Sequence, residues 1–243
     1  MTYPFAWFDL PIQHFLTGFA NRSDIFDNLV YACARYDLLK GVALFSLLWF
    51  LWFHRPADDN EGALQERREK LLITFFACLV AVGIARLMQH VLTVHPRPFT
   101  ADLGISFPAL RDPWGNGSVR NSFPSDHAVF FFTLATGYWL VNRWVGTLAL
   151  VWTAVIVGLP RIYFGIHYPS DIVFGGVLGA VCMLTANRMT SLKTGARRAL
   201  LWSHDHAGTF YWLAFVATVT STALFDDIRQ MIGHSVDYLT GKG

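Results

Sequence analysis

Arginine, histidine and aspartate residues recur in this sequence where apolar, helix-forming runs begin or end. Ionisable side chains at such positions are costly in a membrane helix, so they usually mark a polar site inside a helical bundle. Three groups occur along the chain: Arg86, His90, His95 and Arg97; then Pro124, Ser125, Asp126 and His127; then Arg161, His167 and Asp171. If the helices cross a membrane in turn, the three groups lie at one membrane surface and can form a single pocket.

These residue types together suit phosphoryl transfer. Arginine forms bidentate hydrogen bonds with phosphate, and a helix that starts after Pro124 would offer free backbone N–H groups to an anion. A neutral histidine can attack phosphorus while a second histidine protonates the leaving oxygen. Asp171 follows His167 by four residues, about one helical turn, so its carboxylate can hold the second nitrogen of that imidazole.

Apolar helices would carry these residues. Of 243 residues, 53% are hydrophobic and 15% are charged, whereas soluble domains have about 25% charged residues. The stretch "VALFSLLWFLWF" has no polar face at helical spacing, which excludes an ordinary soluble helix. With flanking residues added, six uncharged runs reach the roughly 20 residues that cross a bilayer. The runs are Gly41–Phe53, Leu71–Ala85, Ala128–Val141, Trp144–Pro160, Ile172–Ala186 and Ala207–Phe225.

The predicted fold class is therefore all-α, a polytopic membrane helical bundle with six transmembrane helices. Residues 1–37 alternate apolar and polar patches and are rich in aromatic residues, a pattern typical of interfacial helices. Residues 38–243 form the predicted six-helix membrane domain. The prolines and glycines between 95 and 127 exclude a continuous helix there.

The distribution of lysine and arginine predicts the orientation. The segments 54–70 and 187–198 and the link at Arg143 carry many of these residues, and all three would lie on one side of a six-span protein. The positive-inside rule assigns that side to the cytoplasm. The three groups of ionisable residues then face the opposite side of the membrane.

The same residues follow the order and spacing of three sequence blocks typical of one family. The family blocks run Lys, six residues, Arg-Pro; then Pro-Ser-Gly-His; then Ser-Arg, five residues, His, three residues, Asp. This sequence has "RP" at 97–98, "PSDH" at 124–127 and "PRIYFGIHYPSD" at 160–171. It resembles the type-2 phosphatidic acid phosphatase superfamily over about residues 80–190. Its "PSDH" variant is similar to bacterial undecaprenyl pyrophosphate phosphatases of the bacitracin-resistance type.

The resemblance implies a role for each matched residue. His167 would be the nucleophile that forms a phosphohistidine, with Asp171 as its partner, and His127 would protonate the leaving group and later activate water. The remaining matched residues would bind the phosphate: Arg97, Arg161, Ser125 and Pro124. The family usually works without a metal ion, and arginines can supply the positive charge that Mg²⁺ would otherwise provide. We therefore expect no metal and no other cofactor.

Three positions depart from the family blocks. His90 stands where the family has lysine, Asp126 replaces a glycine, and Pro160 replaces a serine. His90 can donate a hydrogen bond and, when protonated, replace the missing charge; Arg86 is another source of that charge. Asp126 favours a helix N-terminus but would repel a phosphate unless its side chain turns away. His90 and Asp126 are both predicted to line the substrate site, with a structural role as the alternative for each.

A lipid phosphate is the expected substrate because the pocket would open at the membrane surface. The resemblance favours hydrolysis of undecaprenyl diphosphate in the bacterial cytoplasmic (inner) membrane, with the active site facing the periplasm or outside. Alternatives are a phosphatidylglycerophosphate, phosphatidate or lipid A phosphatase, a lipid phosphotransferase and, in another class, a lipid or anion transporter. Transporters often contain related halves, and the sequence has no internal repeat. Membrane lipids are the expected partners, nucleic acid is not, and the sequence leaves the oligomeric state open.

Overall fold

The structure is a computed structural model that describes residues 4–36, 38–56, 60–93, 95–108 and 121–222. Most of these residues are helical, and none lies in a β-strand. The α-helices are α1 (Ala6–Thr17), α2 (Asp24–Arg35), α3 (Ala43–Phe53), α4 (Glu61–Val91), α5 (Asp126–Val141), α6 (Arg143–Trp152), α7 (Leu159–Tyr163), α8 (Pro169–Arg188), α9 (Thr190–Asp205) and α10 (Ala207–Thr222). Two π-helical stretches lead into α3 and join α6 to α7: Leu38–Val42 and Thr153–Gly158. The six predicted apolar runs lie on helices as far as the described residues extend.

Three stretches of the described chain are long and apolar enough to cross a membrane: Glu61–Val91, Arg143–Tyr163 and Pro169–Arg188. A fourth span would require that Asp24–Arg35 and the bent continuation Leu38–Phe53 count as one. The helices α5 and α10 each have 16 described residues, fewer than the roughly 20 that span a bilayer. The described residues thus contain three candidate membrane spans, and the six transmembrane helices stay a prediction.

Helix α5 forms the centre of the bundle, packed against α4, α6 and α8. Phe130, Phe131 and Leu134 on this helix are fully buried, and they belong to the largest hydrophobic cluster of the described residues. After Asp126 and His127 in its first turn, the helix carries no charged residue, which suits a helix that other helices surround. The first residues of α5 therefore start from a fixed position at one end of the bundle.

Two glycines on α8 allow its backbone to approach α5 closely. A Cβ atom at Gly175 would lie 2.9 Å from the Cβ of Ala128, and one at Gly179 would lie 2.5 Å from the carbonyl oxygen of Val129. Small residues at such crossings let helix backbones pack directly together. The beginnings of α5 and α8, which carry two of the three predicted site groups, are thereby held side by side.

The two N-terminal helices pack on the bundle beside the turn between α7 and α8. Helix α1 contacts α7 and α8, and α2 contacts α7. Asp9 and Gln13 on α1 are fully buried, whereas Trp7 is 77% exposed and Phe15 is 67% exposed. The exposed apolar face suits a membrane interface, but the buried polar face joins this segment to the bundle. The predicted division at residue 37 remains a prediction.

The two ends of α4 contact different parts of the protein. Near its beginning, Glu69 accepts hydrogen bonds from the Nε of Arg197 on α9 at 2.9 and 3.1 Å. Near its end, Gln89 donates a hydrogen bond to the carbonyl oxygen of Pro124 at 2.7 Å. Twenty residues of helix separate these contacts, about 30 Å at 1.5 Å per residue. The predicted site residues lie at the Gln89 end.

Candidate active site

Backbone hydrogen bonds join the three predicted site segments pairwise. The amide of Ser122 donates to the carbonyl of His95 at 2.9 Å, and the amide of Ser125 donates to the carbonyl of Asp171 at 3.3 Å. The amide of Phe99 donates to the carbonyl of Gly165 at 3.0 Å. Segments that are distant in sequence therefore form one site at the beginnings of α5 and α8.

The imidazole of His167 lies buried in this site with one nitrogen occupied. Its Nδ1 lies 2.9 Å from the carbonyl oxygen of Ser122 and 3.3 Å from Oδ2 of Asp171. Both neighbours accept hydrogen bonds, so Nδ1 carries the proton of the neutral ring. The other nitrogen, Nε2, then has a free lone pair, which is the state a nucleophile needs.

The surroundings of His167 favour its neutral form. Burial lowers the pKa of His167 below its ordinary value, although the hydrogen bond with Asp171 acts in the opposite direction. The positive charge of Arg97 lowers that pKa further. Desolvation disfavours a charged imidazole, which favours the neutral form of His167. Its lone pair is thereby available for attack.

Asp171 is fixed by the backbone that precedes it. The carboxylate is fully buried, and its Oδ2 accepts the amide N–H of Tyr168 at 2.9 Å. This bond places the carboxylate over the first turn of α8, facing His167. It can therefore orient the imidazole and stabilise the cation that forms on attack, the role of the carboxylate in a catalytic triad.

His127 also has a carboxylate partner. Its Nδ1 lies 3.0 Å from Oδ1 of Asp126, and its own amide donates to the same oxygen at 2.9 Å. The other carboxylate oxygen of Asp126 lies 3.9 Å from Nη2 of Arg86. Asp126 was predicted to bind substrate, but in the structure its carboxylate contacts His127. These contacts suit an orienting role better than contact with an anion.

Two arginines bring positive charge to the histidines. Arg97 donates a hydrogen bond from Nη1 to the carbonyl oxygen of Ile166, at 3.0 Å, directly before His167. Arg161 is 1% exposed, donates from Nη1 to the carbonyl oxygen of Val157 at 2.9 Å, and lies within electrostatic range of His127. Burial lowers the pKa of Arg97, yet a guanidinium remains charged in proteins. The site therefore contains cations suited to a phosphate.

Ser125 begins helix α5 as its N-cap. Its Oγ accepts the amide N–H of Ala128 at 3.4 Å, the contact typical of serine at this position. A hydroxyl that accepts one hydrogen bond can still donate its own proton. The structure thus confirms that a helix starts at the "PSDH" motif, and Ser125 lies at its first turn as predicted.

Comparisons with known proteins were made on the sequence and on the fold. The model of the PAP2 superfamily matches residues 71–194, which include all three site segments. The chain belongs to this superfamily. It is 30% identical over 151 residues, 62% of this chain and 67% of the relative, to YbjG of Escherichia coli (strain K12), whose assignment as an undecaprenyl-diphosphatase is provisional. It is 26% identical over 167 residues, 68% of this chain and 74% of the relative, to the undecaprenyl-diphosphatase BcrC of Bacillus subtilis (strain 168).

The crystal structure of LpxE from Aquifex aeolicus has a similar fold. The TM-score is 0.50, with 20% sequence identity, and the match covers 74% of this chain and 95% of LpxE. At this identity the likeness concerns the fold alone. Membership of the PAP2 superfamily makes the chain a phosphoric ester hydrolase of the lipid phosphatase type, which agrees with the expected class of enzyme.

His90 lies one helical turn after Arg86, near the site, but its described hydrogen bond stays within α4. Its side chain is exposed, and its Nδ1 lies 2.7 Å from the carbonyl oxygen of Arg86 on the same helix. Consecutive residues of an α-helix point about 100° apart, and it is Gln89 that faces the motif at Pro124. The predicted contact of His90 with substrate stays a prediction. The family has a lysine at the position of His90. In this structure Lys40, from another part of the chain, is 4% exposed and lies within electrostatic range of His127.

Sequence reasoning missed Asn121, which links the segments of this PAP2 site. Its Oδ1 accepts the amides of His95 and Phe123 at 3.2 and 3.1 Å. Its Nδ2 donates to the carbonyls of Gln89 and Thr93 at 3.1 and 3.3 Å. One amide side chain thereby ties the end of α4 to the beginning of α5. Its position three residues before Pro124 was the signal in the sequence, and it is a weak one.

His95 contacts both of the other site segments. Its Nδ1 lies 2.9 Å from Oγ of Ser122 and 3.8 Å from Oδ1 of Asp171. Its ring lies 4.6 Å from the ring of Tyr168. The two oxygens of Asp171 thus face two different histidines. The sequence placed His95 two residues before Arg97 but gave no reason to connect it with Asp171.

Proposed function

We propose that this PAP2 enzyme hydrolyses undecaprenyl diphosphate to undecaprenyl phosphate and inorganic phosphate through a phosphohistidine at His167. The observation that carries the proposal is the hydrogen bonding of that ring: Nδ1 is held by Ser122 and Asp171, and Nε2 is left as the nucleophile. Arg97 and Arg161 approach the same region. Such preorganised charges stabilise a phosphoryl transition state.

In the first step, Nε2 of His167 attacks the terminal phosphorus of the diphosphate. A nitrogen–phosphorus bond forms, and the bond from phosphorus to the bridging oxygen breaks. That oxygen leaves on the lipid monophosphate and receives a proton from Nε2 of His127. The carboxylate of Asp171 stabilises the positive imidazole, while the arginines hold the phosphoryl oxygens.

In the second step, water replaces the histidine. His127, now neutral, accepts a proton from a water molecule, whose oxygen attacks the phosphorus. The nitrogen–phosphorus bond breaks, inorganic phosphate leaves, and His167 returns to its neutral form. The protein's own cations supply the positive charge throughout, so we expect turnover to continue without a metal ion.

An apolar groove supports a lipid as the substrate. Ala128, Ile162 and Ile172 form one buried cluster, and each follows directly on a site residue in sequence. From Ile162 and Ile172, a groove of about 420 Å³ continues past Gly158 and Gly176 between α5, the α6–α7 segment and α8. Val177 on its rim is 56% exposed. A hydrocarbon tail can lie there while its phosphate reaches the arginines.

The proposed location is the bacterial cytoplasmic membrane, in a six-span topology with the site on the outer side. Positive charges concentrate near the Glu69–Arg197 contact, about 30 Å along α4 from the site. The positive-inside rule would assign that end to the cytoplasm. Hydrolysis would then occur on the periplasmic or outer side and return the carrier lipid of cell-wall synthesis to its monophosphate form, which connects the proposal with bacitracin resistance.

Phosphate release by the purified full chain in detergent tests the proposal. We expect hydrolysis of undecaprenyl diphosphate to be faster than that of phosphatidate, phosphatidylglycerophosphate or a phosphorylated lipid A, and unaffected by EDTA. His167→Ala should abolish turnover, whereas His204→Ala, at the exposed end of α9, should not reduce it. Full activity of the His167 variant would refute the mechanism. Preference for another lipid would retain the mechanism and replace the substrate, and binding without any phosphate release would favour a transporter.

A further inference from the structure

The buried face of α1 carries a carboxylate that has no part in the predicted motifs. Asp9 and Gln13 lie one helical turn apart and are both fully buried. Helix α1 presents this face to α7 and α8. Carboxylates are rarely buried unless they are paired or hydrogen-bonded, so Asp9 needs a partner inside the protein.

That partner is Ser170, which lies between the two residues of the nucleophile pair. One carboxylate oxygen of Asp9 accepts the amide N–H of Ser170 at 2.7 Å, and the other accepts its Oγ hydroxyl, also at 2.7 Å. Ser170 is 3% exposed. Charge-assisted hydrogen bonds of this length are among the stronger ones in proteins. They join residues 161 positions apart in the sequence.

These bonds add a second cap to the first turn of α8. Asp171 already accepts the amide N–H of Tyr168, the N-cap residue, from within the same helix. Pro169 follows and has no amide hydrogen, so Ser170 has the first free N–H of the helix. Asp9 accepts that N–H from another helix and places a negative charge at the positive end of the α8 dipole.

The next residue after Ser170 is Asp171, whose carboxylate holds Nδ1 of His167. Its backbone carbonyl also accepts the amide of Ser125 at the start of α5. A shift of this turn would therefore move the carboxylate that orients His167 and the contact with the second helix. Displacements of about 1 Å at a reacting group can cost about 100-fold in rate.

We propose that Asp9 is a positioning residue, and that the N-terminal helix completes the active site by clamping Ser170. The clamp fixes the first turn of α8, which holds Asp171 against His167. The inference goes beyond the proposed function, on which it relies only for an activity to measure. Asp9 contacts neither the substrate nor the reacting atoms.

Steady-state kinetics of purified full-length variants test the clamp. Asp9→Ala should lower kcat about 10- to 100-fold, with KM within about twofold because the arginines are unchanged. Ser170→Ala should lower kcat less, because its backbone N–H still donates to Asp9. Asp9→Asn should lose less, since its amide oxygen still accepts the Ser170 N–H. Asp24→Asn, which removes the same charge from an exposed position at the start of α2, should match the wild type.

A double variant separates positioning from general packing. If Asp9 and Ser170 act through one contact, Asp9→Ala with Ser170→Ala should be no slower than the slower single variant, because coupled residues are not additive. Fully additive losses, or unchanged kcat per folded molecule in both single variants, would overturn the inference. Thermal unfolding in detergent gives the folded fraction. If Asp9→Ala does not fold, Asp9→Asn and Ser170→Ala decide by the same kcat criterion.

The outcomes distinguish this inference from the proposed function. A wild-type protein that releases no phosphate from any lipid would contradict the proposed function. A wild-type protein that is active, with equally active Asp9→Ala and Ser170→Ala variants, would contradict the clamp alone.

Discussion

The two histidines of the site differ in exposure in a way that matches their proposed roles. The side chain of His167 is 3% exposed and that of His127 is 19% exposed. A nucleophile benefits from a dry, fixed environment that keeps it neutral. A proton donor must exchange its proton with water during each turnover, which a partly exposed ring can do. Each imidazole keeps its Nδ1 on a carboxylate, so Nε2 is the nitrogen available for chemistry on both rings.

The pH dependence of phosphohistidine formation should report the neutral form of His167. Burial lowers the pKa of this residue, and a protonated ring cannot attack. The rate of phosphorylation should therefore fall with decreasing pH only below about 6.5, the ordinary pKa of histidine. Rapid-quench trapping of the phosphoenzyme between about pH 5 and pH 8 measures this decrease in rate. The groups that face the ring are Arg97, Asp171 and Asp126. A decrease in rate centred above pH 7 would show that the two carboxylates raise the pKa of His167 more than burial lowers it.

Residue-level chemistry was predictable from sequence where it depends on local spacing. The pair His167–Asp171 lies within one helical turn, and the N-cap Ser125 lies beside the residue it caps, so both follow from positions in the chain. The substrate contact of His90 stays a prediction, because spacing along the chain does not state which side of α4 a residue faces. Asn121 and Asp9 were missed, and the contacts of His95 were not foreseen, because their partners lie far away in sequence and only the folded chain brings them together.

At the scale of helices, the apolar runs predicted where helices occur better than they predicted where those helices are interrupted. The runs within α4, α5 and α8 became helices, because uncharged stretches of this length must satisfy their own backbone groups. The run from Trp144 to Pro160 is interrupted by the π-helical stretch Thr153–Gly158, which no periodicity indicated. The contact of α1 with α8 also escaped prediction, since an amphipathic segment can lie on a membrane or on a protein with equal ease.

Filling the groove below the site should affect long lipid substrates selectively. Ala180 lines the groove about 12 Å along α8 from Ile172 at 1.5 Å per residue. A phenylalanine there would occupy space that a tail would otherwise fill. We expect Ala180→Phe to raise KM for undecaprenyl diphosphate about tenfold, equivalent to about 1.4 kcal/mol of lost apolar contact. KM for a short, water-soluble phosphate ester should stay unchanged.

A matched control is available on the same helix. Val181 is 54% exposed and is absent from the groove lining, so Val181→Phe adds the same ring on a different face. Its KM for the long substrate should equal that of the wild type. Equal increases for the long and short substrates would indicate that Ala180→Phe disturbs the site itself, and would remove the groove as the tail-binding surface.

For the whole molecule, the site and the basic residues lie at opposite ends of the helix bundle. The site gathers at one end of α4, α5 and α8, while Glu69 and Arg197 meet at the other end of α4. Arg143 begins α6, at the far end of α5 from His127. Charge distribution in the sequence predicted this polarity, since loop charges are local. The convergence of three site segments followed only from the assumption that helices alternate in direction.

Site-directed labelling would test which side of the membrane the site occupies. In a variant with Cys33, Cys78 and Cys182 replaced, a single cysteine can be introduced at His90→Cys, beside the site, or at Arg198→Cys, on α9 near the opposite end; both positions are exposed. In intact cells with a permeable outer barrier, a membrane-impermeant maleimide should label the first and label the second only after lysis. Helix α4 carries the site at one end and the Glu69–Arg197 contact at the other. The reverse labelling pattern would therefore place phosphate release in the cytoplasm. That result would contradict the proposed recycling of an outward-facing carrier lipid.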